Sequence, residues 1–314
     1  MKIIFLTLAK INSIEVQGIY TDLLRKFRDN GHDLIIVSPT ERKFKNKTNY
    51  FTEGKVKILN VWTTNIQKTN IIEKGITTLF LEFYYYNAIK KYIYYKDIDL
   101  ILYSTPPITF TYLIKRLKNA SNAKTYLLLK DIFPQNAVDL NLLNYGGILY
   151  NYFKKKEKEF IQESNHIITL TEQSRSIIYS WSGKNVQPTA ITVIPCCVDL
   201  NHFNSNGISE SDKLNLRYLL NISKSARVIS YVGSIGTWYM LPEMLSFFVR
   251  WLLIYPDSIF LFISQDDPKT ILREATLQGV SHDKIRINST SRTEMPLYIS
   301  ISDCSLFFIK PVFS

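Results

Sequence analysis

Short apolar, β-branched runs alternate with segments of helical period along almost the whole chain, and this alternation limits the fold more than any other feature of the sequence. The runs are "KIIFLTLA" (2–9), "HDLIIVSP" (32–39), "KVKILNVW" (55–62), "DLILYST" (99–105), "KTYLLLK" (124–130), "HIITL" (166–170) and "AITVIP" (190–195). Strands this continuously apolar are covered on both faces, so the pattern predicts a parallel sheet with helices on each side. Between the first two runs, Ile19, Leu23, Leu24 and Phe27 fall at helical spacing and Asn30-Gly31 stops the helix, which makes a βαβ unit.

A second series follows about residue 205: "RVISYVG" (227–233), "SIFLFIS" (258–264), "KIRIN" (284–288) and "CSLFFIK" (304–310). Two doubly wound, Rossmann-like domains are therefore expected, over residues 1–195 and 209–314, joined by a linker over 196–208 within the Pro-, Asn-, Gly- and Ser-containing stretch "PCCVDLNHFNSNGIS". With 314 residues, 46% of them hydrophobic and 21% charged, the chain is large enough for two such cores.

Several function classes fall away. The three cysteines, Cys196, Cys197 and Cys304, form no disulfide framework or spaced metal motif. They read as buried small residues and a core thiol, in a reducing, cytoplasmic setting. His32, His166, His202 and His282 are scattered, so no metal site is expected. No G-x-S-x-G elbow supports a hydrolase. The start "MKIIFLTLAK" reads as a first strand with no cleavage site, and no run of about eighteen apolar residues predicts a transmembrane helix.

A net charge of +11 invites a polyanionic partner. The lysine clusters at 41–47, 90–96 and 154–158 lack any zinc, recognition-helix or ribonucleoprotein context, so nucleic acid is not the expected one. In a helix expected from about 71 to 95, Tyr84, Tyr85, Tyr86, Tyr92, Tyr94 and Tyr95 interleave with lysines. This suits either an anionic membrane interface or a partly buried aromatic helix. Asp97 and Asp99 stand where a strand begins, the wrong edge for a ligand.

Two segments stand at the right edge. In "ISYVGSIGTWYM" (229–240), a strand runs into Gly233-Ser234-Ile235-Gly236 and then toward a helix. Backbone amides there suit a phosphate, but glycine also makes plain corners, and neither the third glycine of the dinucleotide fingerprint nor a P-loop lysine is present. In "LLLKDIFPQNAVDL" (127–140), Asp131 directly follows an apolar strand; its carboxylate could take a proton from a hydroxyl or merely cap the next helix.

Taken in order, Gly18 in the first βα loop, "KDIFP", "TLTEQSRSII" (169–178), "VIPCCVDLNHF" and "ISYVGSIGTWYM" resemble family 4 retaining glycosyltransferases, of the type that builds bacterial capsule, O-antigen or exopolysaccharide on a lipid carrier. The resemblance implies the GT-B fold, two Rossmann-like domains facing a cleft. It implies metal-independent transfer of a sugar from a nucleotide-sugar to a hydroxyl of a lipid-linked saccharide, with no cofactor, at the inner face of the cell membrane. It places Asp131 on the acceptor side as the catalytic residue and Gly18, Gly233, Ser234, Gly236 and Thr237 about the donor. In that family a lysine and a Glu-x7-Glu segment follow the position of "IKPVFS", so the expectation is a truncated second domain and weak or no transfer from these residues alone. A nucleotide-sugar 2-epimerase of the same architecture, and a non-catalytic binding or scaffold remnant, are the alternatives.

Overall fold

A computed structural model describes residues 1–66, 71–182, 190–204 and 207–312. Its contacts divide into two compact units, Met1–Cys197 and Val198–Val312. The first contains, in chain order, β1 (Lys2–Leu6), α1 (Ile19–Asp29), β2 (Asp33–Glu41), β3 (Asn49–Glu53), β4 (Val56–Thr63), α2 (Ile71–Tyr92) and β5 (Leu100–Ser104). It continues through α3 (Thr111–Ser121), β6 (Lys124–Leu129), α4 (Gln135–Asp139), α5 (Ile148–Gln162), β7 (His166–Thr169), α6 (Glu172–Ser182) and β8 (Ile191–Val193).

Its eight strands lie in the order β3-β4-β2-β1-β5-β6-β7-β8, every neighbouring pair parallel except β3 with β4. The apolar strands bury both faces, as their composition requires. Ile4, Leu6, Ile101 and Leu127 pack under α2, α3 and α5, and Ile3, Phe5, Leu34 and Leu102 pack on the side of α1. Chain progression reverses between β1 and β5, and doubly wound sheets keep ligands at the carboxyl ends beside such a switch point. The loops entering α1, α3 and α4 open there.

The second unit has α7 (Glu210–Leu219), β9 (Val228–Val232), α8 (Leu241–Leu252), β10 (Ile259–Ile263), α9 (Pro268–Leu277), β11 (Ile285–Asn288), α10 (Met295–Ser300) and β12 (Cys304–Ser305). The parallel order β11-β10-β9-β12 puts its switch point at the carboxyl end of β9. Ile229, Phe260 and Phe262 pack under α8 and α9; Val228, Leu261 and Ile263 pack on the side of α7 and α10.

Several expectations need correction. The sequence does not announce β3: "NYFTE" has no fully buried residue, because it is an antiparallel strand at the sheet edge, paired only with β4. The expected strand 304–310 pairs with β9 only through Cys304 and Ser305. Beyond Leu306 it leaves that ladder, and Met240 and Lys310 exchange backbone hydrogen bonds with Phe308 and Trp238 across the chain. All three cysteines are exposed, contrary to the buried reading: Cys196 and Cys197 follow β8 without regular structure, and Cys304 lies on a two-residue edge strand. Of the tyrosines of "FYYYNAIKKYIYY", Tyr85 is fully buried and donates to the Thr7 carbonyl at 2.8 Å, while Tyr84, Tyr86, Tyr92 and Tyr95 pack against the core. Only Tyr94 is well exposed, so this run chiefly builds the helix–sheet contact rather than a continuous exposed stripe.

Candidate functional site

In the first unit the carboxyl edge gathers Gly18, Tyr20, Thr105, Lys130 and Asp131. β6 ends at Leu129 and delivers Lys130 and Asp131 directly to the edge. The turn they make is held by one side chain: Thr105 Oγ1, after β5, accepts the amides of Lys130 at 2.8 Å and Asp131 at 3.2 Å. Lys130 is drawn away from Asp131, its ammonium 4.0 Å from the centre of the Tyr20 ring on the first turn of α1. Such a cation–π contact contributes on the order of 0.5–1 kcal/mol at an exposed site. It ties the Asp131 loop to the helix that Gly18 begins.

Asp131 caps nothing; α4 starts at Gln135 without a side-chain cap. Its side chain is exposed by surface area, yet protein crowds the carboxyl enough for desolvation to raise its pKa above the usual carboxylate range, against the pull of Lys130. A carboxylate so placed is a stronger base than a free one and still reaches solvent. Below it, Ser104 Oγ and Thr109 Oγ1 are buried and donate to or accept from no group among the described residues.

Gly18 is the N-cap of α1, with an extended backbone, φ −177°. Its amide donates to Asp22 Oδ1 at 3.2 Å, and a Cβ there would stand 3.1 Å from Thr21 Oγ1. Its smallness thus serves the helix start, and its amide is already used.

In the second unit the glycine turn leaves β9 at the switch point. Gly233 has φ +143°, a region closed to side chains, and its amide donates to the Ile263 carbonyl of β10 at 3.1 Å. A Cβ would stand 3.3 Å from the Tyr231 hydroxyl, which donates to the Ser234 carbonyl at 2.5 Å and fastens the turn from beneath. Burial pushes that hydroxyl up to about 12, so it stays a donor at any ordinary pH. Gly236, by contrast, has φ +86° and nothing within 4 Å of where its Cβ would be. Thr237 also sits left-handed at φ +56°, an uncommon conformation for a β-branched residue.

The amides of this turn divide into two groups. Gly233, Ile235, Tyr239 and Met240 donate within the protein, Ile235 to the Asp266 carboxylate beyond β10. Those of Ser234, Gly236, Thr237 and Trp238 donate to no group among the described residues. Ser234 and Thr237 are exposed. The phosphate reading placed the donors at the start of the following helix, and here the geometry differs: α8 begins only at Leu241, with Pro242 in its first turn and the Leu241 amide given to Tyr239. The available N–H groups belong to the turn itself. Asp266 is the residue that sequence reasoning missed, since it lies 31 positions from its partner and only the β9–β10 pairing brings the two together.

A pocket of about 420 Å³ lies elsewhere, among Tyr86, Tyr95, Tyr112, Lys115, Arg116 and Asn119 on α2, α3 and the segment after α2. It is on the helical face and holds none of these edge residues. Among the described residues, no group of three or more His, Cys, Asp or Glu is placed to hold a metal ion.

No family model and no curated protein matches this sequence. Solved structures do. Over 98% of this chain and 78% of the other, it is similar to an E. coli trehalose-6-phosphate structure bound with UDP-2-fluoro glucose, with a TM-score of 0.71 and 10% identity. An α,α-trehalose-phosphate synthase (UDP-forming) from Burkholderia vietnamiensis is matched with a TM-score of 0.71 at 12% identity, covering 97% of this chain and 77% of that one. Anabaena HepE in complex with UDP and glucose follows with a TM-score of 0.54 at 16% identity, covering 97% and 73%. The chain therefore has the GT-B fold of two Rossmann-like α/β units. At these identities the likeness is one of fold.

Proposed function

We propose that this chain is a GT-B glycosyltransferase that takes a nucleotide-sugar of the UDP or GDP type as donor. The observation that carries this is the set of unclaimed amides of Ser234, Gly236 and Thr237 at the switch point of the second unit. Backbone donors held in place before the reaction stabilise the charge that grows on a departing nucleoside diphosphate, as in an oxyanion hole. Asp266, which withholds the Ile235 amide, leaves carboxylate oxygen for donor hydroxyls rather than phosphate. On the first unit, Asp131 acts on the acceptor side and takes the proton of the attacking hydroxyl, its raised pKa matching that task.

The reading extends to retention of configuration, no metal, and an acceptor saccharide on a lipid, as in surface polysaccharide assembly of the family 4 type. That acceptor calls for peripheral contact with an anionic membrane at its cytoplasmic face. Among the described residues no helix is long and apolar enough to cross a membrane. Product analysis with radiolabelled sugar nucleotide tests the proposal. Label carried on lipid supports transfer; free, epimerised sugar contradicts it.

A further inference from the structure

α5 and the loop before it present an exposed apolar surface at the carboxyl edge of the first sheet. Ile148 is 90% exposed and Leu149 60%, at the first turn of α5 on the carboxyl side of the sheet. Leu142, Tyr145 and Tyr152 are exposed around them. A soluble surface rarely leaves so many large apolar side chains together without a partner. Further along the same helix the exposed residues become cationic, Lys155 and Lys158, with Lys156 half-buried.

The spacing sets a depth. Lys155 lies seven residues beyond Ile148, about 10 Å along the axis at 1.5 Å per residue. With the helix axis steep to the bilayer, an apolar end sunk by about 5–10 Å, the depth reached by interfacial apolar side chains, leaves cations at that distance level with headgroup phosphates. Lysine stems reach further while keeping the ammonium in water. Apolar tip and cationic collar together match an anionic bilayer, and a protein partner would not require this order along one helix.

The same helix holds the Asp131 loop. Phe153 of α5 packs edge-on against Phe133, their ring centres 5.1 Å apart. We infer that residues 142–158 dock the chain on an anionic lipid bilayer and so bring lipid-borne hydroxyls to Asp131. The inference rests on the acceptor part of the proposed function for its consequence, and on the surface alone for the docking.

Vesicle flotation of the full chain tests it, with phosphatidylcholine alone and with 30% phosphatidylglycerol as an order-of-magnitude anionic content. The expected result is at least tenfold stronger partition onto the anionic vesicles. Ile148→Ser with Leu149→Ser should cut that partition at least tenfold, as should Lys155→Glu with Lys158→Glu. All four side chains are outside the core, and an unchanged melting curve verifies the fold. Leu253→Ser with Ile254→Ser, equally exposed on the second unit, is expected to change nothing. Equal binding to both vesicles, or equal loss in the second-unit control, overturns the docking. So does an undiminished partition of the α5 variants. Nucleotide binding by calorimetry is read separately: its failure with vesicle binding intact refutes the proposed function and leaves the docking surface standing.

Discussion

Replacing Gly233 by alanine separates the two uses of the glycine turn. An L side chain at φ +143° occupies backbone space that only glycine adopts readily, which costs on the order of 1–3 kcal/mol. The new Cβ also meets the Tyr231 hydroxyl at 3.3 Å and must displace the ring that fastens Ser234. Losing that hydrogen bond adds about 1 kcal/mol. The expected destabilisation is roughly 2–4 kcal/mol, the sum of these two effects. Gly236→Ala meets no atom and carries only left-handed strain, about 1 kcal/mol. Urea denaturation followed by tryptophan fluorescence measures both, with Trp238 and Trp251 reporting on the second unit. A Gly233→Ala protein within about 0.5 kcal/mol of the parent, the scatter of a neutral surface change, would refute the reasoning, as would a Gly236→Ala protein destabilised as much.

Asp131→Asn is expected to leave donor affinity nearly intact while lowering transfer at least a hundredfold, on the order of what a general base contributes; steady-state rates beside calorimetric binding check it, and unchanged turnover removes Asp131 from the site. A second prediction concerns pH. Burial raises the Glu157 carboxyl to about 7 from 4.5, even against its ion pair with Lys154 at 2.8 Å. Because the folded state holds this proton more tightly, the stabilisation is complete below about pH 4.5 and is lost as pH rises through about 7, worth about 3 kcal/mol at 1.36 kcal/mol per unit. Denaturation midpoints from pH 4 to 8, as an approximate series, should show that slope in the parent and not in Glu157→Gln; the same slope in both would contradict the assignment.

Much of the architecture is legible in the sequence because buried parallel strands must be apolar on both faces, and "DLILYST" or "SIFLFIS" admits few other placements. The misreadings share a cause. Residues 306–310 are as apolar as a central strand, yet Phe308 packs against Phe247 of α8 and the chain turns to pair with Trp238–Met240. Tyrosine and lysine alternating in α2 look amphipathic in sequence, but tertiary contact decides which rings are covered. In the site, Asp131 and the glycine turn are visible because each adjoins a recognisable strand end. The Lys130–Tyr20 contact and the hold of Asp266 on Ile235 are not, since both join residues that only strand order brings together.

The claim that the second unit cradles a nucleotide diphosphate is tested most directly at Gly236, where added bulk enters open space beside the unclaimed amides instead of the protein's own Tyr231. Calorimetric titration of UDP into the parent chain should give one site with a dissociation constant of about 1 mM or tighter, the value corresponding to about −4 kcal/mol. Gly236→Asn, which adds bulk yet tolerates the left-handed backbone, should weaken it at least tenfold while the melting temperature stays within a few degrees, on the order of what 1 kcal/mol moves a domain of this size. No heat of binding to the parent at millimolar UDP, or a Gly236→Asn protein that binds UDP as the parent does, would contradict the account and return the turn to a plain corner.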